Sequence, residues 1–318
     1  MPKKILWALE YALLCLVFAL ASILPESWLE KLGGALGRFV FRHVGARRQV
    51  VLDNLAHAFP DRDVLSLWDL AERIYANLGV NLFAFFALAR LTPARIRARV
   101  RLENTGYLDG LRAAGEGALL MTGHFGHWEL LGAAVSAYGY PTRYLVRTQS
   151  NPWADRLQNK IRARAGLGVI RADASVRQLV RHVRSGGFVG VLPDANAGDD
   201  GIFVDFLGRP ASTPRGLAYF AYKLGCPIIP VFLVRQADGT HVARFHDPLR
   251  MDPAWDEQEA VLELTKSFTD VLSGVVREHP DHYFWIHRRW KTRPPAERSA
   301  AAAVGTGQDQ ELDRELTS

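Results

Sequence analysis

Residues 5–24, ILWALEYALLCLVFALASIL, form a run of twenty positions whose only charge is Glu10. About twenty apolar residues are what a helix needs to cross a bilayer, and a chain that carries such a run must find it a non-aqueous home. The run is long for the hydrophobic part of a signal peptide, and Ser22-Ile23-Leu24-Pro25-Glu26 lacks the small-residue pattern of a cleavage site. We therefore expect residues 1–24 to be a membrane anchor. Glu10, one or two turns in, is expected to face protein or sit near the interface. Lys3 and Lys4 precede the run, whereas Lys31, Arg38, Arg42, Arg47 and Arg48 follow it. That bias favours a single pass in the inner (plasma) membrane with the catalytic domain on the cytoplasmic side.

The remaining chain is long enough for a substantial core: of 318 residues, 48% are hydrophobic. Residues 25–117 read as a helical, membrane-proximal region. Helical spacing runs over 28–44, with Gly33, Gly34 and Gly37 interspersed, and suits an interfacial helix or an ordinary packing helix equally. Further helices are expected over 48–59 and 64–91. From 118 the pattern changes to short apolar strands (118–122, 142–146, 188–192, 228–234, 242–245). Between them lie helical stretches (128–136, 152–165, 175–184, 213–224), and a long helix is expected over 257–278. This alternation predicts an α/β fold, a central mostly parallel sheet covered by helices, over residues 118–295. The tail, 296–318, is small and polar and is expected to be disordered. Cys15 and Cys226 lie far apart in apolar contexts and read as free thiols.

The chemistry concentrates in Gly123–Leu130, GHFGHWEL, directly behind the apolar strand 118–121. On one continuous helix, residues five apart point ~140° away from each other and could not share a site. If His124 lies in a turn and a helix starts near Trp128, however, the Glu129 carboxylate can fold back to the imidazole. A carboxylate on one ring nitrogen fixes the tautomer and leaves the other nitrogen as a general base. No Ser or Cys lies in this segment, so the base would activate a hydroxyl brought by the substrate, the logic of direct acyl transfer to an alcohol. His124, His127 and Glu129 cluster in the manner of metal ligands, but neither HExxH nor CxxC spacing is present, and no metal or cofactor is expected.

Four later clusters stand out. Arg147, with Asn151-Pro152 behind it, would emerge at a strand's carboxyl end, where ligands gather, and Arg suits bidentate phosphate contact. On the following helix Arg156 and Arg162 read as a solvated face, whereas Arg164 is a candidate substrate contact. Pro193-Asp194 and the Gly-rich loop after it suit a site wall or a plain turn. Thr213 reads as an N-cap with Pro214 at the first helical position. Finally, residues 283–294, YFWIHRRWKTRP, interleave aromatics with Arg288, Arg289 and Lys291, a pattern suited to an anionic membrane surface or a phosphorylated headgroup. The net charge of +6 agrees with such partners, and no nucleic-acid-binding signature accompanies it.

In this order, GHFGHWE, Arg147 with Asn151-Pro152, Pro193-Asp194, Thr213 and the closing WIHRRWKTRP resemble the lipid A biosynthesis acyltransferases of the lauroyl/myristoyl type, within the lysophospholipid acyltransferase superfamily. Arg48 to Leu55 with Phe59-Pro60 resembles them too. The resemblance implies an anchored α/β enzyme that moves a fatty acyl group from acyl carrier protein or acyl-CoA to a hydroxyl of a lipid acceptor. It implies His124 as general base, Glu129 as its orienting partner, and Arg147 near an acceptor phosphate. The Phe125 and Gly126 amides would form an oxyanion hole. Position 127 is His, and position 195 is Ala, where relatives carry other residues, so the acceptor is left open. The expected acceptor is a lipid A precursor. The alternatives are another glycolipid such as a phosphatidylinositol mannoside, a lysophospholipid, or a non-catalytic lipid-binding role.

Overall fold

The computed structural model describes residues 3–172 and 176–297; the tail expected to be disordered lies, from 298 onward, outside the described residues. The apolar run forms helix α1 (Lys3–Ile23), long and apolar enough to cross a membrane. Only Val17 and Ala21 of it are buried, and Ile5, Leu9, Leu13 and Leu16 face outward. Helix α2 (Glu26–Phe39) follows and ends in a π-helical turn, Val40–Val44, closed by Gly45 in the left-handed conformation. Then come α3 (Arg48–Ala58) and α4 (Val64–Ala87), the latter capped by Asp63, whose carboxylate accepts from the Ser66 amide.

Glycine decides how α2 meets α4. A Cβ on Gly37 would lie 1.9 Å from the Tyr75 carbonyl oxygen, and one on Gly33 would lie 2.6 Å from that of Gly79. The two backbones touch, which only hydrogen side chains permit. This contact turns Trp28, Leu32, Leu36 and Phe39 of α2 outward as an exposed apolar stripe.

The α/β part opens with α5 (Pro93–Arg97), β1 (Val100–Glu103) and α6 (Gly106–Ala114), so the sheet takes in residues ahead of 118. It continues with β2 (Ala118–Met121), α7 (Trp128–Ala137), β3 (Thr142–Val146), α8 (Pro152–Arg164), β4 (Gly168–Arg171), α9 (Val176–Arg184) and β5 (Phe188–Val191). A hairpin of β6 (Ile202–Phe206) and β7 (Arg209–Thr213) forms a separate two-stranded sheet. Then α10 (Gly216–Leu224), β8 (Ile228–Arg235), β9 (His241–Phe245) and α11 (Glu257–Glu278) complete the order. The main sheet runs β1-β9-β8-β2-β5-β3-β4. Five strands are parallel; β9 pairs antiparallel with β8, and β1 runs parallel to β9.

The mostly parallel sheet covered by helices is the architecture the alternation predicts. Because side chains alternate across a strand, β2 feeds two cores. Leu119 and Met121 pack with α9, α10 and α11, while Ala118 and Leu120 pack with α7 and, further out, α1. Both faces are covered, so the central strands carry near-continuous apolar runs. The expected start of a helix at 213 is corrected: Thr213 ends β7 and α10 begins at Gly216, with Arg215 in the cap position.

Candidate active site

Strand β2 pairs with β5 in parallel, with Met121 opposite Val191. Three residues beyond each of these partners lie His124 and Asp194, so equal offsets on adjacent strands deliver the two side chains to one place. That place is outside the carboxyl ends of the strands. It is also where the chain turns in opposite directions across the sheet, the position at which open α/β sheets bind ligands. The Asp194 carboxylate accepts twice from His124, from the backbone N–H at 2.7 Å and from Nδ1 at 2.8 Å. Asp194 is 2% exposed, whereas the His124 side chain is 37% exposed. Nδ1 is thus committed as a donor, and Nε2 is left as an acceptor towards the open side. The imidazole stands between the Trp128 and Phe284 rings, at 5.2 and 5.8 Å.

Burial acts to lower the His124 pKa, but the charge and hydrogen bond of Asp194, with the charge of Glu129, outweigh it and raise the value above the ordinary histidine. Burial likewise acts to raise Asp194, and the His124 contacts with the charge of His287 bring it below the ordinary carboxylate. The charged pair favours the fold fully between the unfolded carboxylate and histidine values, about 3.9 and about 6.5. The contribution fades as pH rises through the raised His124 value and as pH falls through the lowered Asp194 value.

Glu129 lies elsewhere than the spacing suggests. It sits in the first turn of α7, and both carboxylate oxygens accept from Arg162 of α8: Nε at 3.1 and 3.0 Å, Nη2 at 2.6 Å. Glu129 therefore acts on His124 through its field, and the orienting hydrogen bond belongs to Asp194. The reading of Arg162 as a solvated cation is corrected by the same fork, since its side chain is 12% exposed. A helix beginning at Trp128 leaves Glu129 facing α8, and the turn at 124–127 does not bring it back.

The turn itself is held from outside. Gly126 has φ +55°, and a Cβ there would lie 2.4 Å from the Leu233 carbonyl oxygen. Its N–H donates to the His282 carbonyl at 2.8 Å and its own carbonyl accepts from Asn81 Nδ2 at 2.9 Å. The Gly126 amide is therefore already used and is not an oxyanion donor. Phe125 is fully buried against Phe232 and His282. His127 is buried too: burial lowers its pKa to about 4, its Nδ1 accepts from the Leu130 amide, and it lines a cavity of about 110 Å³ shared with Leu29, Ala84 and His241.

Arg147, one residue past β3, is exposed, as is Arg164. Asn151 is buried and does double duty. Its Oδ1 caps α8 through the Trp153 and Ala154 amides, and its Nδ2 donates to the Trp7 carbonyl and to Glu10 of α1 at 3.0 and 2.9 Å. The apolar helix is thereby tied to the loop that carries Arg147, and Glu10 faces protein.

The closing segment is corrected most. Residues 282–284 pair with 124–126, Trp285 and Trp290 are buried, and Arg289 is 1% exposed; Arg288, Lys291 and Arg293 remain on the surface. Asn54 of α3 holds this segment, donating to the Trp285 and His287 carbonyls at 2.8 and 2.9 Å, and Asn77 of α4 donates to that of Asp281. Thr213 serves here rather than as a cap, since its hydroxyl accepts from Arg289 Nη2 at 2.5 Å. Sequence reasoning missed Arg162, Asn81, Tyr283 and His287. The equal offset of His124 and Asp194 from their strand ends was the available signal for their pairing.

An exposed Nε2 on a carboxylate-held imidazole, at the carboxyl end of a parallel sheet, is the arrangement of a base that draws a proton from a substrate. Residues 3–292 match the bacterial lipid A biosynthesis acyltransferase family, and the chain belongs to it. It is an acyltransferase. Among its relatives is the lipid A biosynthesis lauroyltransferase of Escherichia coli (strain K12), 26% identical over 85% of this chain and 88% of that one. The lipid A biosynthesis acyltransferase of Haemophilus influenzae (strain ATCC 51907 / DSM 11121 / KW20 / Rd) is 24% identical over 87% and 86%. The E. coli (strain K12) lipid A biosynthesis myristoyltransferase is 22% identical over 87% and 85%. Among solved structures, the Thermotoga maritima 1-acyl-sn-glycerophosphate acyltransferase PlsC is 14% identical over 80% and 97%, with a TM-score of 0.38.

Proposed function

We propose that this protein esterifies a hydroxyl of a lipid A precursor, the 3-hydroxyacyl chain being the acceptor, with a fatty acyl group from an acyl-carrier-protein thioester. The observation that carries the reading is the bond from His124 Nδ1 to the buried Asp194, which leaves Nε2 free beside the open side of the site. Nε2 takes the proton of the acceptor hydroxyl as its oxygen attacks the thioester carbonyl. The tetrahedral intermediate collapses with cleavage of the C–S bond, and the imidazolium returns the proton to the departing thiolate. Ester and free thiol leave, and the base is regenerated. Asp194 stabilises the imidazolium at the moment it forms. Arg147, exposed one residue past the carboxyl end of β3, is the cation proposed to meet an acceptor phosphate; Arg164, also exposed, ends α8 and is proposed as a further contact.

In this reading α1 spans the inner membrane and the catalytic part lies on the cytoplasmic side. The outward stripe Trp28, Leu32, Leu36 and Phe39 of α2, flanked by Lys31 and Arg38, rests in the anionic interface. The acceptor is a lipid, so a site reached from the bilayer surface suits it.

Mass spectra of lipid A from cells with and without the protein test the acceptor. Loss of one ester-linked acyl chain is expected. An unchanged lipid A beside an altered phospholipid or other glycolipid would keep the chemistry and overturn the acceptor. The pH dependence tests the base. Because His124 must be neutral to act and its pKa is raised, the acidic limb of kcat/KM is expected above pH ~6.5, with activity falling as pH drops through it. A limb lying well below that value would contradict His124 as the base.

A further inference from the structure

Arg289 is a buried cation that no carboxylate meets in an ion pair among the described residues. Its hydrogen bonds go to neutral groups: Nη1 donates to the Ser212 carbonyl at 2.6 Å and Nη2 to the Thr213 hydroxyl at 2.5 Å. Nε is buried with no partner, and the guanidinium carbon lies 5.2 Å from the centre of the Phe206 ring. The cost of taking a guanidinium out of water is large and needs an opposite charge to offset it. Asn196, two residues beyond Asp194, donates to the Arg289 carbonyl at 3.2 Å, and the Phe206 ring that Arg289 covers lies 5.6 Å from the Tyr283 ring, so Arg289 packs against the Asp194 loop. Asp194 is the carboxylate whose field reaches it, and the buried Tyr283 phenol feels both charges.

Asp194 has the complementary difficulty. A general base must be neutral before it acts, so in the resting enzyme the His124–Asp194 pair carries one negative charge in a site where Asp194 is 2% exposed. The other groups facing the pair are Glu129 from α7, which is negative, and Tyr283 and His287 from the closing segment, with Arg47 further out beside His287. His287 has its Nε2 buried without a partner, and burial lowers its pKa, so it is neutral near pH 7; its charge acts on Asp194 only at acid pH, where the imidazole is protonated. Arg289 is the permanent buried cation of this cluster.

We propose that Arg289 is a positioning residue for the reaction: its unpaired guanidinium, fixed by Ser212, Thr213 and Phe206, balances the Asp194 carboxylate and so keeps the His124 imidazole neutral, correctly turned and ready to accept a proton. The inference rests on the reading of His124 as the base. Removing a nearby positive charge raises the pKa of both Asp194 and His124, which fixes the sign of the test.

The full-length protein in detergent micelles is assayed across pH with an acyl-carrier-protein thioester and a lipid A precursor, as wild type, Arg289→Met, Arg289→Lys and His124→Ala. Arg289→Met is expected to move the acidic limb of kcat/KM upward by ~1 pH unit, and Arg289→Lys, which keeps the charge, to restore it. A uniform loss of activity with an unmoved limb would reduce Arg289 to packing and overturn the proposal, as would a limb in Arg289→Lys displaced as far as in Arg289→Met. Should Arg289→Met fail to fold, the double variant Asp194→Asn/Arg289→Met is melted beside it. Recovery of the fold is the expected sign that the charges are coupled, and failure of both variants overturns it. Activity persisting in His124→Ala would instead remove the base assignment itself, whatever the Arg289 variants do.

Discussion

Replacing Asp194 by asparagine is expected to lower acyl transfer ~10²–10⁴-fold, about as much as replacing His124 by alanine. The reason is local. The carboxylate accepts from both the backbone N–H and Nδ1 of His124, and an amide cannot reproduce both acceptors with one oxygen. If its NH₂ faces the ring, the imidazole must carry its proton on Nε2, and the atom meant to take the hydroxyl proton already holds one. Turnover with saturating acceptor reads the effect, and circular dichroism checks the fold. Glu129→Gln provides the contrast, since it removes a charge from the field at His124 without touching the ring. Wild-type turnover in Asp194→Asn together with a dead Glu129→Gln would hand the orienting role to Glu129.

The second large effect is on stability. Glu129→Ala is expected to destabilise the fold by about 3 kcal/mol, because it strands the Arg162 guanidinium in a pair whose side chains are 12% and 7% exposed. Removing both members, Glu129→Ala with Arg162→Met, is expected to restore much of that loss, since the charge left without its partner causes most of it. Urea midpoints of the two single variants and the double variant measure the coupling. Strictly additive losses would show that the fork contributes little and that α7 and α8 are held by their apolar contacts.

These two expectations divide along the line between what was readable in the chain and what was not. The apolar run of α1, the strands 142–146 and 188–191 and the long helix 257–278 follow from hydrophobic periodicity, because burial on one face or two sets the spacing of apolar residues locally. The short strands Val100–Glu103 and Gly168–Arg171 escaped, being mixed in composition and paired at the sheet's edges. His124 was legible as a strand-end histidine and Asp194 as a strand-end aspartate. Their partnership was not, because it depends on β5 returning to lie beside β2 after β3 and β4 have been laid down further out.

The closing segment makes the same point from the other side. Its aromatic and basic alternation fits a surface patch as well as a core wall, and composition does not distinguish them. The decision came from Asn54 and Asn77, more than two hundred residues earlier, whose side chains draw the segment against the site and bury Arg289. By itself the sequence determined the apolar helix, the α/β alternation and the residue types able to transfer an acyl group, because each is a matter of local spacing and chemistry. Only the tertiary structure decided which carboxylate holds His124, which one is tied to Arg162 and which arginine lies inside. Those choices are made by strand order and by hydrogen bonds between distant segments, and no local pattern encodes them.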